Sequence, residues 1–469
     1  MKEMRPRHIV LFIVCCFVLL GAIVVVGDWC RPMLGGVRCP HILAVFSGQQ
    51  SAVSDQQSEE QTMVPLELAD STSLELEVRS ETADADRVQN TEYRVQNTEY
   101  RVQNTEYRVQ NTEYGVQAVG VLDKFIEGLQ EAGSKQVRVV HYGDSQIEED
   151  RITSTLRTYL QSEYGGLGPG LLPLVQTIPT RTVVQYLLID GQRVTAREGP
   201  KRYFVYGPKN QQRDSSNHYG IMGQVAVLDS LCDSVTMHIE PYGKLTSANY
   251  FSQLRVWATR DILVDGSRRH QGALRDTLTR LNIDISGIGE VYGVSLESAT
   301  GVIVDNIPMR GGSGNVFTKM NRKQLTEFYE ATNTRLIILQ FGGNVMPWAN
   351  TEERVRGYAY SMRKQIRFLR ECAPNASILF IGPSDMLTVV DGEKMSYPTI
   401  AYMDQQLARI SAAEGIAYWS LFKAMGGEGS MQVWQEKGLA SSDGVHFYRS
   451  GANRAGELLW NWLKLKIDK

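Results

Sequence analysis

Five short runs rich in branched and aromatic residues constrain the fold of this chain most. They occupy residues 137–142, 302–304, 336–341, 378–381 and 416–419. Runs of this length and composition read as strands. Helical patterns separate them. After the first run, Ile152, Leu156, Tyr159 and Leu160 recur at the spacing of one buried helix face. Further helices are expected over 352–372, 399–414 and 450–464. Strands alternating with helices predict an α/β fold with a parallel sheet covered on both faces.

Four of the turns that surround these strands carry reactive or conformationally special residues. The first strand ends in Gly143-Asp144-Ser145. The reading is that the chain then runs directly into a helix, so that one serine hydroxyl sits at a strand end and a helix N-terminus. Developing negative charge is favoured there. Ser145-Gln146-Ile147-Glu148 also fits a capping box, in which the serine only caps the helix. The second strand leads to Arg310-Gly311-Gly312-Ser313-Gly314. No Lys-Ser or Lys-Thr follows, so a Walker-type phosphate loop is excluded. The third strand ends in Gly342-Gly343-Asn344, where an amide can donate to an oxyanion. Near the C-terminus stands Asp443-Gly444-Val445-His446. Of seven histidines, only His446 has an aspartate three residues before it. Imidazole suits the activation of a serine hydroxyl, and a nearby carboxylate can fix its tautomer.

These four blocks, in this order, resemble the SGNH (GDSL-type) hydrolase family. The resemblance implies a three-layer, flavodoxin-like sandwich. It implies Ser145 as nucleophile, His446 as general base and acid, and Asp443 as its orienting carboxylate. The oxyanion hole would comprise the Ser145 N–H, the Gly311 N–H and the Asn344 side chain, with the register between Gly311 and Gly312 open. Gln146 stands where many members carry leucine, a departure expected to matter little. No metal or organic cofactor is expected.

Residues 178–296 differ in texture. Short strands at 182–188, 234–239 and 253–258 appear with few helical patterns, which predicts an inserted β-sandwich-like domain. It would divide the hydrolase domain into 117–177 and 297–469. A β-rich insertion at this place also occurs in bacterial peptidoglycan O-acetylesterases of the family, where it resembles a carbohydrate-binding module. Tyr203, Phe204, Tyr206, Tyr219, Tyr242, Tyr250, Phe251 and Trp257 are candidate sugar-stacking faces, with core packing the competing reading for each. Asn217-His218-Tyr219-Gly220 is a candidate loop near the site.

The N-terminal part obeys other physics. Lys2, Arg5 and Arg7 precede an uninterrupted apolar run at 9–26. That length can cross a bilayer, with the basic end in the cytoplasm. Residues 1–30 are therefore expected to be an uncleaved signal anchor. Residues 31–116 read as a disordered linker rich in Gln, Ser, Glu and Asp, with four Arg-Val-Gln-Asn-Thr-Glu-Tyr repeats at 87–114. Val and Tyr lie five and two apart in each repeat, so no coiled-coil seam forms. Of the cysteines, Cys15 and Cys16 lie in the apolar run, and Cys30 and Cys39 could pair in an oxidising compartment. Cys232 and Cys372 fall in different expected domains, and no C-x-x-C suggests zinc or redox chemistry. A net charge of −3 gives no footprint for nucleic acid.

The expectation is a single-pass protein of the cytoplasmic membrane with its catalytic domain in the periplasm or outside the cell. It would remove O-acetyl groups from an O-acylated glycan. Two alternatives stay open: a glycan O-acetyltransferase using the same triad, and a glycan-binding protein with a degenerate site.

Overall fold

The computed structural model describes residues 120–207 and 219–469. The expected anchor, the repeats, Cys15, Cys16, Cys30, Cys39, Asn217 and His218 lie outside the described residues. Among the described residues, no helix is long and apolar enough to cross a membrane.

The central sheet has five parallel strands: β1 (Gln136–Gly143), β2 (Gly301–Pro308), β3 (Thr334–Gln340), β4 (Ser377–Ile381) and β5 (Ala417–Trp419). Their spatial order is β2-β1-β3-β4-β5. This is the flavodoxin-like order, and it places a topological switch point between β1 and β3. The strands alternate in the expected period of two, but both faces are apolar. Val137, Val139, Leu336, Ile338, Leu379 and Ile381 pack into one layer. Val140, Tyr142, Ile337, Leu339, Ile378 and Phe380 pack into the other.

Helices α1 (Asp123–Gln130), α2 (Arg151–Tyr164) and α6 (Arg449–Ile467) cover the first face through Phe125, Leu156 and Leu459. Helices α3 (Arg322–Ala331), α4 (Glu352–Cys372) and α5 (Ile400–Ala413) cover the second through Phe328, Met362 and Leu407. α1 and α3 are too short to stand out by periodicity. The Asn321 and Thr351 side chains cap α3 and α4, each accepting a backbone N–H of the first turn.

Between α2 and β2 the chain forms two antiparallel sheets. One is built on Phe251–Ala258 and Gly289–Glu297, the other on Val183–Ile189 and Ser234–Pro241. Their facing side chains, among them Met237, Ile239 and Ile283 opposite Leu228, Phe251 and Val294, share one core. The β-rich stretch begins before residue 178, because Gly170–Leu172 already pairs with Gly289–Glu297. The sheet that carries Gly289–Glu297 also joins the α3–α4 side of the main fold, through Met222, Val225 and Tyr292. A buried ion network fastens the junction. Arg138 of β1 is fully buried, bonds both carboxylate oxygens of Asp305 on β2 (2.7 and 2.9 Å), and pairs with Glu297.

Candidate active site

β1 and β3 lie side by side, so the turns that leave their C-terminal ends face one crevice. Ser145 follows β1, and Asn344 follows β3 across Gly342, whose φ of +127° suits glycine alone. Ser145 and Asn344 line a common cavity of about 30 Å³ with Phe341, Pro383 and Met386.

The chain does not pass directly from Ser145 into a helix. Short 3₁₀ turns within Ser145–Asp150, broken by a kink of non-helical backbone at Glu148 and Glu149, intervene, and α2 begins only at Arg151. Glu149 and Asp150 adopt left-handed backbone, with φ of 58° and 63°. Distant partners hold this kink. Asp150 is buried against Arg157 and Thr182, and Arg181 N–H donates to the Glu149 carbonyl at 3.0 Å. The cap is Asp144 rather than Ser145: its Oδ1 accepts the Gln146 N–H at 3.0 Å. The serine hydroxyl is thereby released from capping.

It is used elsewhere. Ser145 Oγ lies 2.8 Å from His446 Nε2, across 301 residues of sequence. His446 Nδ1 lies 2.7 Å from Asp443 Oδ2. With Nδ1–H donating to the carboxylate, Nε2 presents its lone pair to the serine hydroxyl. Asp443 Oδ1 also accepts the N–H groups of Val445 (2.9 Å) and His446 (3.0 Å), which fixes the loop that carries the histidine. Gly444 completes that loop at φ 70°, and a Cβ there would lie 2.8 Å from the Leu387 Cβ. Partial burial pushes the Asp443 carboxyl up. The hydrogen bonds from His446 and Val445 outweigh it and hold the group down at about 2.

The glycine block supplies a further edge. Gly312 N–H donates to the Met309 carbonyl at 2.7 Å and closes a turn. Gly311 precedes it, exposed and at φ 70°. The Asn344 amide donates one hydrogen to the Gly312 carbonyl at 3.1 Å, leaving its second N–H for a ligand. The Ser145, Gly311 and Asn344 donors therefore belong to turns that meet.

Three contributors escape a reading of the sequence. Gln146 is not incidental: its buried amide donates to the Val445 carbonyl and so ties the serine turn to the histidine loop. His141, buried in β1, contacts Gln340 Oε1 at 3.1 Å and Thr153 Oγ1 at 3.0 Å. Burial lowers it to about 3, so it is a neutral prop rather than a base. Asn306 donates to the Ile147 carbonyl at 3.0 Å from β2. For His141 alone, its isolation as a polar residue in an apolar strand was an available signal.

Asp144 yields a pH prediction. Burial raises its carboxyl from 3.8 to about 6, against the Gln146 N–H and the nearby His446. The folded state thus holds the proton longer than the unfolded chain. The stabilisation is complete below the unfolded value and is lost as pH rises through about 6. Asp144→Asn keeps the Oδ1 acceptor and abolishes the titration. Urea unfolding from pH 4 to pH 7 should show the variant gaining on wild type, by on the order of 2 kcal/mol. A pH-independent difference would contradict the assignment.

No protein-family model matches the chain, and no curated protein matches it. Solved structures do. A peptidoglycan O-acetylesterase matches at 20% identity and a TM-score of 0.59, covering 76% of this chain and 98% of that one. The carbohydrate acetylesterase Est24 from Sinorhizobium meliloti matches at 12% identity and a TM-score of 0.26, over 35% of this chain and 79% of that one. The chain shares the fold of the first of these, an α/β sandwich of the kind its four motifs led one to expect.

Proposed function

We propose that this chain is a serine esterase that removes acetyl groups from the sugar hydroxyls of an extracytoplasmic glycan. The observation that carries the reading is the hydrogen-bonded series Ser145–His446–Asp443 at the switch point of the sheet. Ser145 Oγ attacks the ester carbonyl while His446 Nε2 takes its proton. Asp443 orients the ring and stabilises the imidazolium. The Ser145 N–H, the Gly311 N–H and the free Asn344 N–H hold the oxyanion. Gly311 is preferred over Gly312 because the Gly312 N–H is already committed to Met309. His446 then protonates the leaving sugar oxygen. Water, deprotonated by the same imidazole, splits the acyl-enzyme and releases acetate.

The cavity beside Ser145 favours acetyl over longer acyl groups. At about 30 Å³ it has room for roughly two water-sized groups. The fold shared with a peptidoglycan O-acetylesterase supports a glycan ester as substrate. Residues 1–30 are proposed to anchor the chain in the cytoplasmic membrane, and the repeats at 87–114 to space it from the bilayer. The β-rich stretch is proposed as an inserted module that presents the glycan.

The test is acetate release by the full chain from O-acetylated peptidoglycan, beside p-nitrophenyl acetate and p-nitrophenyl butyrate. Acetate should be released, and the butyrate ester, with two further methylenes, should be slower by about 100-fold or more, since each misfit methylene costs about 10-fold. Absence of hydrolysis of all three overturns the reading. Acetyl groups appearing on an added glycan acceptor, with little free acetate, would replace hydrolysis by transfer.

A further inference from the structure

A second, larger cavity of about 330 Å³ adjoins the serine turn. One wall is the far end of that turn, Glu148 to Asp150, and another is Arg310, which immediately precedes Gly311. The β-rich stretch closes it with Arg202, Phe204 and Tyr206. Of the eight aromatic residues that the sequence suggested for sugar stacking, Phe204 and Tyr206 line this cavity, whereas Tyr219 and Phe251 are core. The small cavity beside Ser145 takes the acyl group. The alcohol half of an ester must then lie on another side, and this cavity is lined by Glu148, three residues after Ser145 on its turn, and by Arg310, the residue before Gly311.

Its lining holds three carboxylates and three arginines, but they do not pair one to one. The three wall carboxylates each have a cation of their own: Glu148 pairs with Arg310 (3.7 Å), Glu149 with Arg151 (2.8 Å) and Arg181 (3.7 Å), and Asp150 with Arg157. Arg202 is left over. It is half-buried, and among the described residues no carboxylate pairs with it. Its contacts are a long hydrogen bond to the Ala196 carbonyl (3.5 Å) and the Phe204 ring, 5.7 Å from the guanidinium carbon. A guanidinium carries five N–H donors arranged to grip a carboxylate with two at once. Holding such a group half out of water without a counter-ion costs free energy that a bound anion would recover.

We propose that this cavity is the subsite for the sugar half of the substrate and that Arg202 selects a carboxylate-bearing sugar, with Phe204 and Tyr206 as the apolar walls for the ring. The proposal rests on the esterase reading and deepens it by naming the class of sugar.

The full chain is assayed on methyl glucuronoside and methyl glucoside acetylated at the same ring position, with p-nitrophenyl acetate as a substrate that does not need the subsite. Wild type should favour the uronate ester in kcat/KM by about 10-fold or more. Arg202→Gln should erase that preference through KM on the uronate ester, with p-nitrophenyl acetate turnover unchanged. Arg202→Lys should restore part of it, because charge survives but the two-pronged grip does not. Equal kcat/KM for the two sugar esters in an enzyme active on p-nitrophenyl acetate overturns the subsite alone. So does an Arg202→Gln variant, folded by its melting temperature, that loses all three substrates alike. If wild type hydrolyses none of them, the esterase reading fails instead. Calorimetric titration with methyl glucuronoside then still decides the site: binding lost in Arg202→Gln upholds it, and no binding to wild type removes it.

Discussion

Ser145→Ala is expected to lower kcat on acetyl esters by at least about 10³-fold while leaving the fold intact. The two halves of this expectation have separate physical grounds. The hydroxyl is not the cap of the 3₁₀ segment, since Asp144 accepts the Gln146 N–H. Its hydrogen bond is to His446 Nε2, and His446 is held independently by Asp443. Removing Oγ therefore deletes one bond at a half-buried position, and the melting temperature should move by no more than a few degrees. The chemistry loses its nucleophile outright. What survives is the oxyanion donors and the binding cavities, which retain a residual acceleration over water. The check is single-turnover acetate release beside thermal unfolding. Mass spectrometry of the wild type, quenched in the presence of p-nitrophenyl acetate, should find acetyl on the peptide containing Ser145. A variant that keeps more than a tenth of wild-type activity would remove Ser145 from the mechanism.

The parts of this site that sequence reveals are those whose chemistry is local. Gly143-Asp144-Ser145, Gly342-Gly343-Asn344 and Asp443 to His446 each sit where a strand or tight loop needs special backbone, so residue type and spacing betray them. The parallel alternation is legible for a similar reason, since strands buried on both faces read as continuous apolar runs. The β2-β1-β3-β4-β5 order is not legible, because pairing is a long-range choice. The kink at Glu149 and Asp150 is hidden by the good helical spacing of Ile152, Leu156 and Leu160. What bends the chain there is Arg157, Arg181 and Thr182, acting through ion pairs and hydrogen bonds with no sequence signature. Gln146 reads as an unremarkable substitution because its partner, Val445, is 299 residues away. Arg202 and its cavity are invisible for the same reason: that no carboxylate among the described residues pairs with it depends on what distant segments place around it.

Asp443→Asn carries the second large effect, and its ground is a tautomer. In the wild type, Asp443 Oδ2 accepts the Nδ1–H of His446, while Oδ1 accepts two backbone N–H groups. The asparagine oxygen will keep the backbone bonds, because those donors have no other partner in the loop. Its NH₂ then faces His446 Nδ1, which must turn from donor to acceptor. The ring proton moves to Nε2, the atom 2.8 Å from Ser145 Oγ. A protonated Nε2 cannot take the serine proton, so kcat should fall by about 10⁴-fold with KM little changed. The same substitution predicts how stability depends on pH. Asp443 is depressed in the folded state to about 2, so its contribution is present above the ordinary carboxylate value and disappears as pH falls through about 2. Wild type should therefore exceed the variant in stability at pH 6, and the two should converge between pH 4 and pH 2. A purely structural role for Asp443 predicts the convergence but not the loss of kcat at neutral pH, where the folded variant still presents serine, imidazole and oxyanion donors. Activity of Asp443→Asn above a tenth of wild type would mean that the carboxylate holds the loop and not the proton.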